Sequence, residues 1–274
     1  MQFWKMHGLG NDFILVDNRH GQICDADAAG LARRLCERHV SIGADGLLLL
    51  SNSAVSDMQM RIFNADGSEA EMCGNGVRCF AKYCYENGIL KKKQLAVETL
   101  AGVKHVWLIV ENDTVIAVTV DMGTPEWDRS KIPMQGQGTC INQDLRVDEE
   151  TYKVTCLSMG NPHCVIFVEN VDEFPVEYVG PIIENHEAFP KRTNVEFTQV
   201  SGKNELKVRV WERGCGETMA CGTGACASAV VANHLGKVSG KVKVHLRGGN
   251  LLLDVGERVF MTGPAEKVFE GKLF

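Results

Sequence analysis

The 274-residue chain lacks the sequence signals of several large classes of protein. Its first residues, Met1 to His7, lack the apolar core of a signal peptide, and no apolar run approaches the roughly 18 residues of a membrane span. There is no Walker sequence, and Gly8-Leu9-Gly10 lacks the third glycine and the following helix of a dinucleotide-binding loop. A formal charge of −6 argues against nucleic acid and anionic membranes as partners. These absences disfavour a secreted, membrane-spanning or nucleotide-binding protein.

Cysteine is abundant, but its spacing is not that of a metal or redox motif. None of the 11 cysteines forms a Cys-x-x-Cys pair, and the 8 histidines make no compact cluster with them, which disfavours a zinc site. Without a secretion signal, most of the thiols should be reduced. Since free cysteine is among the most buried residue types, we predict packing positions in the protein interior for Cys24, Cys36, Cys79, Cys84, Cys140, Cys156, Cys164, Cys215 and Cys226.

The two remaining cysteines lie in a motif that occurs once in each half of the chain. The first copy runs from Arg61 through Glu69 to Cys73-Gly74-Asn75-Gly76, and the second from Arg209 through Glu217 to Cys221-Gly222-Thr223-Gly224, without a gap between equivalent positions. Leu9-Gly10-Asn11 and Met159-Gly160-Asn161 agree at nearly the same offset. The chain therefore contains two related halves, and each offers one thiol before a Gly-x-Gly turn.

Periodicity predicts many strands and few helices in each half. Polar and apolar residues alternate over 58–63, 205–211, 241–246 and much of 103–120, and short apolar runs at 13–16 and 47–50 fit buried strands. Helices are predicted over 25–38, with Asp25 or Asp27 as N-cap, after Cys73 as far as Asn87-Gly88, and after Cys221. This pattern indicates an α+β fold. We expect one domain over 1–121, completed by a last strand at 265–274, and a second over 122–264.

Both motif cysteines stand where a predicted helix begins. A helix N-terminus exposes unpaired N–H groups and a partial positive charge, which provide a seat for a carboxylate. The same charge should lower the pKa of an adjacent thiol from about 8.5. Two such thiols on opposite sides of an α-carbon could remove its proton and return one with inverted geometry, while N–H groups support the carbanion. This arrangement is what a racemase or epimerase needs.

The motifs and several other segments resemble the diaminopimelate epimerase family. The matching segments are MHGLGNDF, RIFNADGSEAEMCGNGVRCFA, SMGNPHCV, TNVEF, WERGCGETMACGTGACA and FMTGPA, which are spread over the whole chain. The resemblance implies two pseudo-symmetric α+β domains from an internal duplication, each a strand barrel around a central helix. It also implies a cytoplasmic enzyme, often a homodimer, that interconverts LL-diaminopimelate and meso-diaminopimelate in lysine biosynthesis without a cofactor or metal.

The resemblance further implies roles for individual residues. Cys73 and Cys221 match the two catalytic acid/base cysteines, and His163 and Glu212 match groups that tune the cysteine pKa values. The positions that match substrate-binding residues are Asn11, Asn64, Gly74, Asn75, Asn161, Asn194, Glu212, Arg213, Gly222 and Thr223. One departure is Gly46, where some members have a glutamine that helps bind substrate. That contact must be absent or replaced in this chain.

Other functions remain open from the sequence. A proline racemase or hydroxyproline epimerase also uses paired cysteines, but its substrates have no distal charged group for Arg213 to bind. Arg213 can hold a distal carboxylate with two N–H groups, and Glu212 can accept a hydrogen bond from an ammonium. A thiol–disulfide redox protein could join Cys73 to Cys221. A binding protein for a diamino acid would keep Arg213 but would not need both cysteine motifs.

Overall fold

The structure is a computed structural model that describes residues 1–273 and divides the chain into two compact units. Unit 1 comprises Met1–Asp121 and the segment from Thr262 onward, and unit 2 comprises Met122–Met261. The described residues form four helices and eighteen strands, so the predicted α+β fold class is confirmed. None of these helices is long and apolar enough to cross a membrane. Phe274, the last residue of the predicted final strand, lies outside the described residues.

The secondary structure consists of runs of two to six strands separated by single helices. The first part contains β1 (Gln2–Gly8), β2 (Asn11–Asp17), α1 (Asp25–Cys36), β3 (Gly46–Ser51), β4 (Met58–Asn64), β5 (Glu69–Ala70), α2 (Gly74–Glu86), β6 (Gln94–Thr99), β7 (Gly102–Glu111) and β8 (Thr114–Gly123). The second part contains β9 (Cys140–Val147), β10 (Glu150–Ser158), β11 (Pro162–Phe167), α3 (Val176–Glu184), β12 (Asn194–Gly202), β13 (Glu205–Glu212), β14 (Gly216–Thr218), α4 (Gly222–His234), β15 (Lys241–Leu246), β16 (Gly249–Val255), β17 (Val259–Gly263) and β18 (Glu266–Lys272).

The two units join their strands in the same order. In unit 1, β2 pairs with β3 in parallel, β3 with β4 antiparallel, and β4 with β6 in parallel. In unit 2, β11 pairs with β12 in parallel, β12 with β13 antiparallel, and β13 with β15 in parallel. Phe13 is opposite Gly46 in unit 1 just as His163 is opposite Asn194 in unit 2. The register therefore defines which residues of the two units are equivalent. The last strand, β18, pairs antiparallel with β1.

The two helices that follow the motif cysteines lie among the strands of their units. In α2 every residue from Gly74 to Tyr85 is buried, and the helix packs against β1, β2, β3, β4 and β7. In α4 the run from Ala225 to Ala232 is buried on every side, as its uniformly small and apolar residues predict. This helix packs against β10, β11, β12, β13, β15 and β16. Each motif cysteine is thus fixed by a helix that cannot move without disturbing a core.

The other two helices differ from the sequence predictions in instructive ways. Helix α1 forms as predicted, but its N-cap is Cys24, and Asp25 and Asp27 lie in its first turn, where negative charge favours the helix dipole. Helix α3 was not predicted, because it is short and contains Pro181. Its formation depends on the unit 2 core, into which it buries Val176, Val179 and Ile183.

The remaining cysteines are mostly packing residues. Seven of the nine predicted interior cysteines are buried, and burial raises the pKa of Cys36 to about 11 and that of Cys79 to about 12. The prediction is wrong for Cys24 and Cys215, which are exposed. Cys24 donates its S–H to Asp27 Oδ2 at 2.9 Å, and Cys215 lies in the turn between β13 and β14. Within residues 1–273, no group of three or more His, Cys, Asp or Glu side chains is arranged to hold a metal ion.

Candidate active site

Cys73 is the N-cap residue of α2 and is half-buried. Its Sγ accepts a hydrogen bond from the N–H of Gly76 at 3.4 Å. Asn11, at the start of β2, accepts hydrogen bonds through Oδ1 from the Cys73 thiol at 3.6 Å and from Asn75 Nδ2 at 3.2 Å. Three residues that the family resemblance picked out, Asn11, Cys73 and Asn75, are therefore brought together, and a fourth, Gly74, is the first residue of the helix.

The orientation of the Asn11 amide is set by a residue that the sequence did not suggest. Asn11 Nδ2 donates to Asp45 Oδ2 at 2.8 Å, and the N–H of Asp12 donates to the same oxygen at 3.0 Å. Asp45 also pairs with Arg38 at 2.9 Å. Since a carboxylate only accepts hydrogen bonds, it turns the Asn11 amide so that Oδ1 points to Cys73. The thiol of Cys73 therefore meets a hydrogen-bond acceptor.

Asn64 and Gly46 lie opposite each other in the β3–β4 register. Asn64 is exposed, and its Nδ2 donates to Ser68 Oγ at 2.9 Å. A Cβ atom at Gly46 would lie 2.9 Å from the carbonyl oxygen of Phe63, which is tighter than real Cβ contacts allow. Because that atom belongs to the backbone, it cannot swing away. A glutamine at position 46 does not fit this backbone, so the glutamine contact of other members is absent here.

Cys221 is the N-cap residue of α4 and is more deeply buried than Cys73, with 5% of its surface exposed. Its Sγ accepts a hydrogen bond from the N–H of Gly224 at 3.4 Å and lies 3.4 Å from Thr223 Oγ1. Asn161 Nδ2 in turn donates to Thr223 Oγ1 at 3.3 Å. Gly222 is the first residue of α4. The second motif therefore repeats the helix-capping geometry of the first.

A buried histidine and a buried glutamate continue this chain of contacts. His163 Nε2 lies 2.9 Å from Asn161 Oδ1, and His163 Nδ1 lies 2.7 Å from Glu196 Oε1. Both side chains are completely buried. Sequence reasoning missed Glu196. Along β12, alternation points the side chain of Glu196 to the other face of the strand from the apolar Val195 and Phe197, which suggests a solvent-facing position. Both faces of this part of β12 are in fact covered.

Burial and negative charge keep Cys221 protonated in the substrate-free protein. Burial raises the pKa of this thiol well above its ordinary value, and the negative charges of Glu212 and Glu196 raise it further. The hydrogen bonds from Thr223 and from the Gly224 N–H act in the opposite direction but are outweighed. The prediction that the helix N-terminus lowers the thiol pKa is therefore wrong for Cys221. Burial also raises the pKa of Glu212, which ends β13 and accepts a hydrogen bond from Thr218 Oγ1.

Arg213 lies in an exposed turn whose backbone is firmly held. Its N–H donates to Oδ1 of Asn194 at 2.9 Å, and Asn194 Nδ2 donates to the carbonyl of Pro162 at 2.7 Å. Glu184, from α3, accepts hydrogen bonds from the Gly214 N–H and the Trp211 indole N–H, both at 2.8 Å. The guanidinium itself is at the surface, where Nη1 donates to the carbonyl of Lys191 at 3.2 Å. A fixed turn thus presents a cation on a long side chain.

The chain matches the family model of diaminopimelate epimerase over residues 3–127 and 155–268. It is 54% identical over 275 residues to the diaminopimelate epimerase of Moorella thermoacetica, covering 99% of this chain and 98% of that protein. It is 47% identical over 277 residues to the diaminopimelate epimerase of Methanococcus maripaludis, covering 100% of this chain and 99% of that protein.

Solved structures at low identity share the fold alone. A phenazine biosynthesis protein of the PhzF family from Bacillus anthracis has a TM-score of 0.72 at 17% identity and covers 100% of this chain and 99% of its own. A probable proline racemase from Agrobacterium radiobacter has a TM-score of 0.72 at 13% identity, with coverage of 100% and 92%. The family match, the full-length relatives and the duplicated cysteine geometry agree, and the chain belongs to the diaminopimelate epimerase family.

Proposed function

We propose that this protein interconverts LL-diaminopimelate and meso-diaminopimelate without a cofactor, with Cys73 and Cys221 as the two acid/base groups on opposite sides of the reacting α-carbon. The observation that carries the proposal is the duplicated capping geometry. Each thiol caps a central helix and accepts a hydrogen bond from the N–H three residues further on. A single thiol of this kind has many explanations, but inversion of a carbon acid needs two.

The helix N-termini supply the electrostatic part of the mechanism. The N-termini of α2 and α4, at Gly74-Asn75 and Gly222-Thr223, carry the positive end of the helix dipole and favour negative charge. A substrate carboxylate held there would place its α-carbon beside the thiols. The same groups would stabilise the negative charge that grows on the carboxylate as the α-proton leaves. We assign this role to backbone groups because they are already oriented before substrate arrives.

Cys221 enters the reaction as a thiol. Because burial and the neighbouring carboxylates keep Cys221 protonated, Cys221 is poised as the proton donor when substrate first binds. Deprotonation of the substrate then falls to Cys73. In the reverse direction the roles exchange, and Cys221 must act as a thiolate. The surroundings of Cys221 therefore have to accommodate both protonation states.

Arg213 and its neighbours favour diaminopimelate over proline as the substrate. A guanidinium can bind the distal carboxylate in a forked geometry, and Glu212 and Asn64 offer an acceptor and a donor for the distal amino acid. Asn194 would act by holding the Arg213 turn, and Asn161 by holding Thr223. Proline and hydroxyproline carry no second amino-acid group. The structural similarity to a probable proline racemase, at 13% identity, concerns the fold alone.

The decisive experiment follows the α-proton in deuterated water. Purified protein is incubated with LL-diaminopimelate, without pyridoxal phosphate and with a chelator, and both stereoisomers are analysed by mass spectrometry in the first percent of turnover. We expect deuterium in the product and none in recovered substrate. One thiol removes the α-proton from one face of the α-carbon, and the other thiol, which exchanges with the solvent, delivers deuterium to the opposite face. Early label in the substrate would contradict the two-thiol mechanism. Equal turnover of proline or hydroxyproline would favour the alternative racemases, and loss of activity with the chelator would contradict the cofactor-free chemistry.

Three further properties are proposed on the strength of family membership. The reaction would serve lysine biosynthesis, the protein would work in the cytoplasm, and it would form a homodimer. Multi-angle light scattering of the purified protein tests the last of these, because a monomer of 30.1 kDa and its dimer differ twofold in mass. A monomeric mass at micromolar concentration would contradict the homodimer.

A further inference from the structure

The surroundings of Cys221 contain a buried ion pair that the fold itself does not need. In unit 2, a Cβ atom at Gly224 would lie 2.8 Å from Glu196 Oε1, so Glu196 is directly beneath the first turn of α4. In unit 1, a Cβ at the equivalent Gly76 would lie 3.3 Å from Leu48 and 3.6 Å from Phe13. The strand registers confirm that Leu48 and Glu196 occupy equivalent positions. One unit therefore packs this place with apolar side chains, and the other with Glu196 and His163.

Burying this pair costs stability that apolar residues would not cost. Glu196 Oε2 is buried and accepts no hydrogen bond, a state that lowers stability. Buried ion pairs are often no more stabilising than well-packed apolar residues of similar size. Since Leu48 and Phe13 show that the fold accommodates the apolar alternative, Glu196 and His163 must contribute something other than packing.

The contribution follows from the direction of the hydrogen bonds between Glu196 and Cys221. In the first of two arrangements, Asn161 Oδ1 faces His163 Nε2, which then carries a hydrogen. The contact between His163 Nδ1 and Glu196 Oε1 then needs a second proton, held by either atom. Asn161 Nδ2 donates to Thr223 Oγ1, which leaves the Thr223 hydroxyl hydrogen available for Cys221 Sγ. This arrangement can support a thiolate, and in the substrate-free protein, where Cys221 is a thiol, Thr223 Oγ1 accepts from the S–H instead.

The opposite arrangement requires only a turn of the Asn161 amide, whose two ends are nearly equal in shape. Asn161 Nδ2 then donates to a bare His163 Nε2, and His163 Nδ1–H donates to an ionised Glu196. The Thr223 hydroxyl donates to Asn161 Oδ1 and can only accept from the Cys221 S–H. This arrangement supports a thiol. The total number of protons is the same in the two arrangements. The Glu196–His163 pair carries one proton fewer in the second arrangement, and the Cys221 thiol carries one more.

We propose that Glu196 is a positioning residue of the reaction. Through the direction of its hydrogen bond with His163, it sets by way of Asn161 and Thr223 whether Cys221 is supported as a thiol or as a thiolate. The inference rests on the proposed function in taking Cys221 as a reacting thiol that must alternate between these states. The other titratable group that faces Cys221 is Glu212, whose charge acts on the thiol directly and not through this chain.

The test measures the reactivity of Cys221 without substrate. The rate of alkylation by iodoacetamide is followed from pH 6 to pH 11, with Cys221 quantified by peptide mass spectrometry, in Glu196→Gln and Glu196→Asp. Aspartate keeps the charge but is one methylene too short for the 2.7 Å contact with His163. We expect both variants to move the midpoint by at least about half a pH unit, which is roughly a threefold change in rate below the midpoint. In a Thr223→Val background, both shifts should fall to less than half.

Each contrary outcome overturns the proposal. An aspartate variant that behaves like the unmodified protein would show that only charge matters, and an equal shift in the Thr223→Val background would show that the chain of contacts carries nothing. Glu217→Gln is the matched control, because Glu217 is a buried carboxylate of the same unit paired with Arg209 and should change thermal stability but not the midpoint. If the Glu196 variants do not fold, Thr223→Ser should retain the native midpoint and Thr223→Val should not. A protein that shows these shifts but does not turn over diaminopimelate would reject the proposed function and keep this inference.

Discussion

The two units solve the same local problem with different chemistry. In unit 1, the thiol of Cys73 meets the oxygen of Asn11, whose amide is anchored by the surface carboxylate Asp45. In unit 2, Cys221 meets the hydroxyl of Thr223, whose neighbour Asn161 is anchored by the buried pair His163 and Glu196. Strand order, helix and capping geometry are repeated, and the anchors are not.

This difference shows which parts of a duplicated domain are free to specialise. The backbone frame must be kept in both units, since it alone places a cysteine at a helix N-terminus. The side chains behind the cysteine can diverge, because apolar side chains pack beneath Gly76 and charged side chains pack beneath Gly224. Unit 1 anchors the partner of its cysteine with the exposed carboxylate of Asp45, and unit 2 does so with the buried pair His163 and Glu196.

The largest effect is expected from removing either thiol. Cys73→Ala and Cys221→Ala should each lower the rate of inversion by at least about 10²–10⁴-fold, the usual contribution of a positioned acid or base. The measurement is the rate of conversion of LL-diaminopimelate to the meso form. Each variant should still eliminate a leaving group from a suitable β-substituted analogue in one stereochemical series, because elimination needs only a base. If inversion survives in either variant, the two halves are not both required.

The next effect concerns a cation that only one unit carries. Ala65 follows Asn64 in unit 1, whereas Arg213 follows Glu212 in unit 2. Arg213→Ala should reduce kcat/KM for diaminopimelate. The corresponding loss of transition-state stabilisation should be about 3 kcal/mol or more, as expected for loss of one partner of a buried charge pair in the substrate complex. Thermal stability should be unchanged, since the turn is held through its backbone. Arg146→Ala, another exposed arginine of unit 2, is the control, and equal losses in both variants would contradict a specific role.

A double variant can make unit 2 resemble unit 1. His163→Phe combined with Glu196→Leu introduces the residues that stand at Phe13 and Leu48. We expect an unchanged or higher free energy of unfolding, by up to about 4 kcal/mol, because apolar residues replace a buried ion pair. Inversion should nevertheless fall by roughly tenfold or more, since Cys221 loses its anchored partner. Urea unfolding and the inversion assay measure the two effects. A variant as active as the native protein would mean that the difference between the units has no catalytic purpose.

The smallest effect concerns Gly46, which stands in unit 1 at the strand position that Asn194 occupies in unit 2. Gly46→Ala should destabilise the protein by about 1–3 kcal/mol, because the new methyl group would press on the Phe63 carbonyl. Gly30→Ala is the matched control. Gly30 lies within α1 with open space around it, so alanine should stabilise the protein by up to about 1 kcal/mol. Chemical denaturation of both variants provides the comparison, and a Gly46→Ala protein as stable as the native one would show that this strand can shift.

Much of the fold and part of the candidate site could be predicted because they depend on local patterns. Alternation gave the strands around Arg61 and Arg209, and the small, apolar run after Cys221 gave a buried helix. Long-range context defeated other predictions. Helix α3 forms in spite of Pro181 because the unit 2 core covers its apolar side, and Cys24 and Cys215 are exposed although free cysteine is usually buried.

The sequence by itself determined that this protein consists of two related halves, each with a cysteine at the start of a helix, because repeats and periodicity are properties of the chain alone. Only the tertiary structure decided how the Cys221 thiol behaves. Burial and the charges of Glu212 and Glu196 outweigh the helix N-terminus at Cys221, and Glu196 comes from β12, which lies outside the cysteine motif. Desolvation and Coulomb energies depend on distance in space and not on spacing along the chain. A motif can therefore identify the reacting atoms, but only the folded protein sets their protonation.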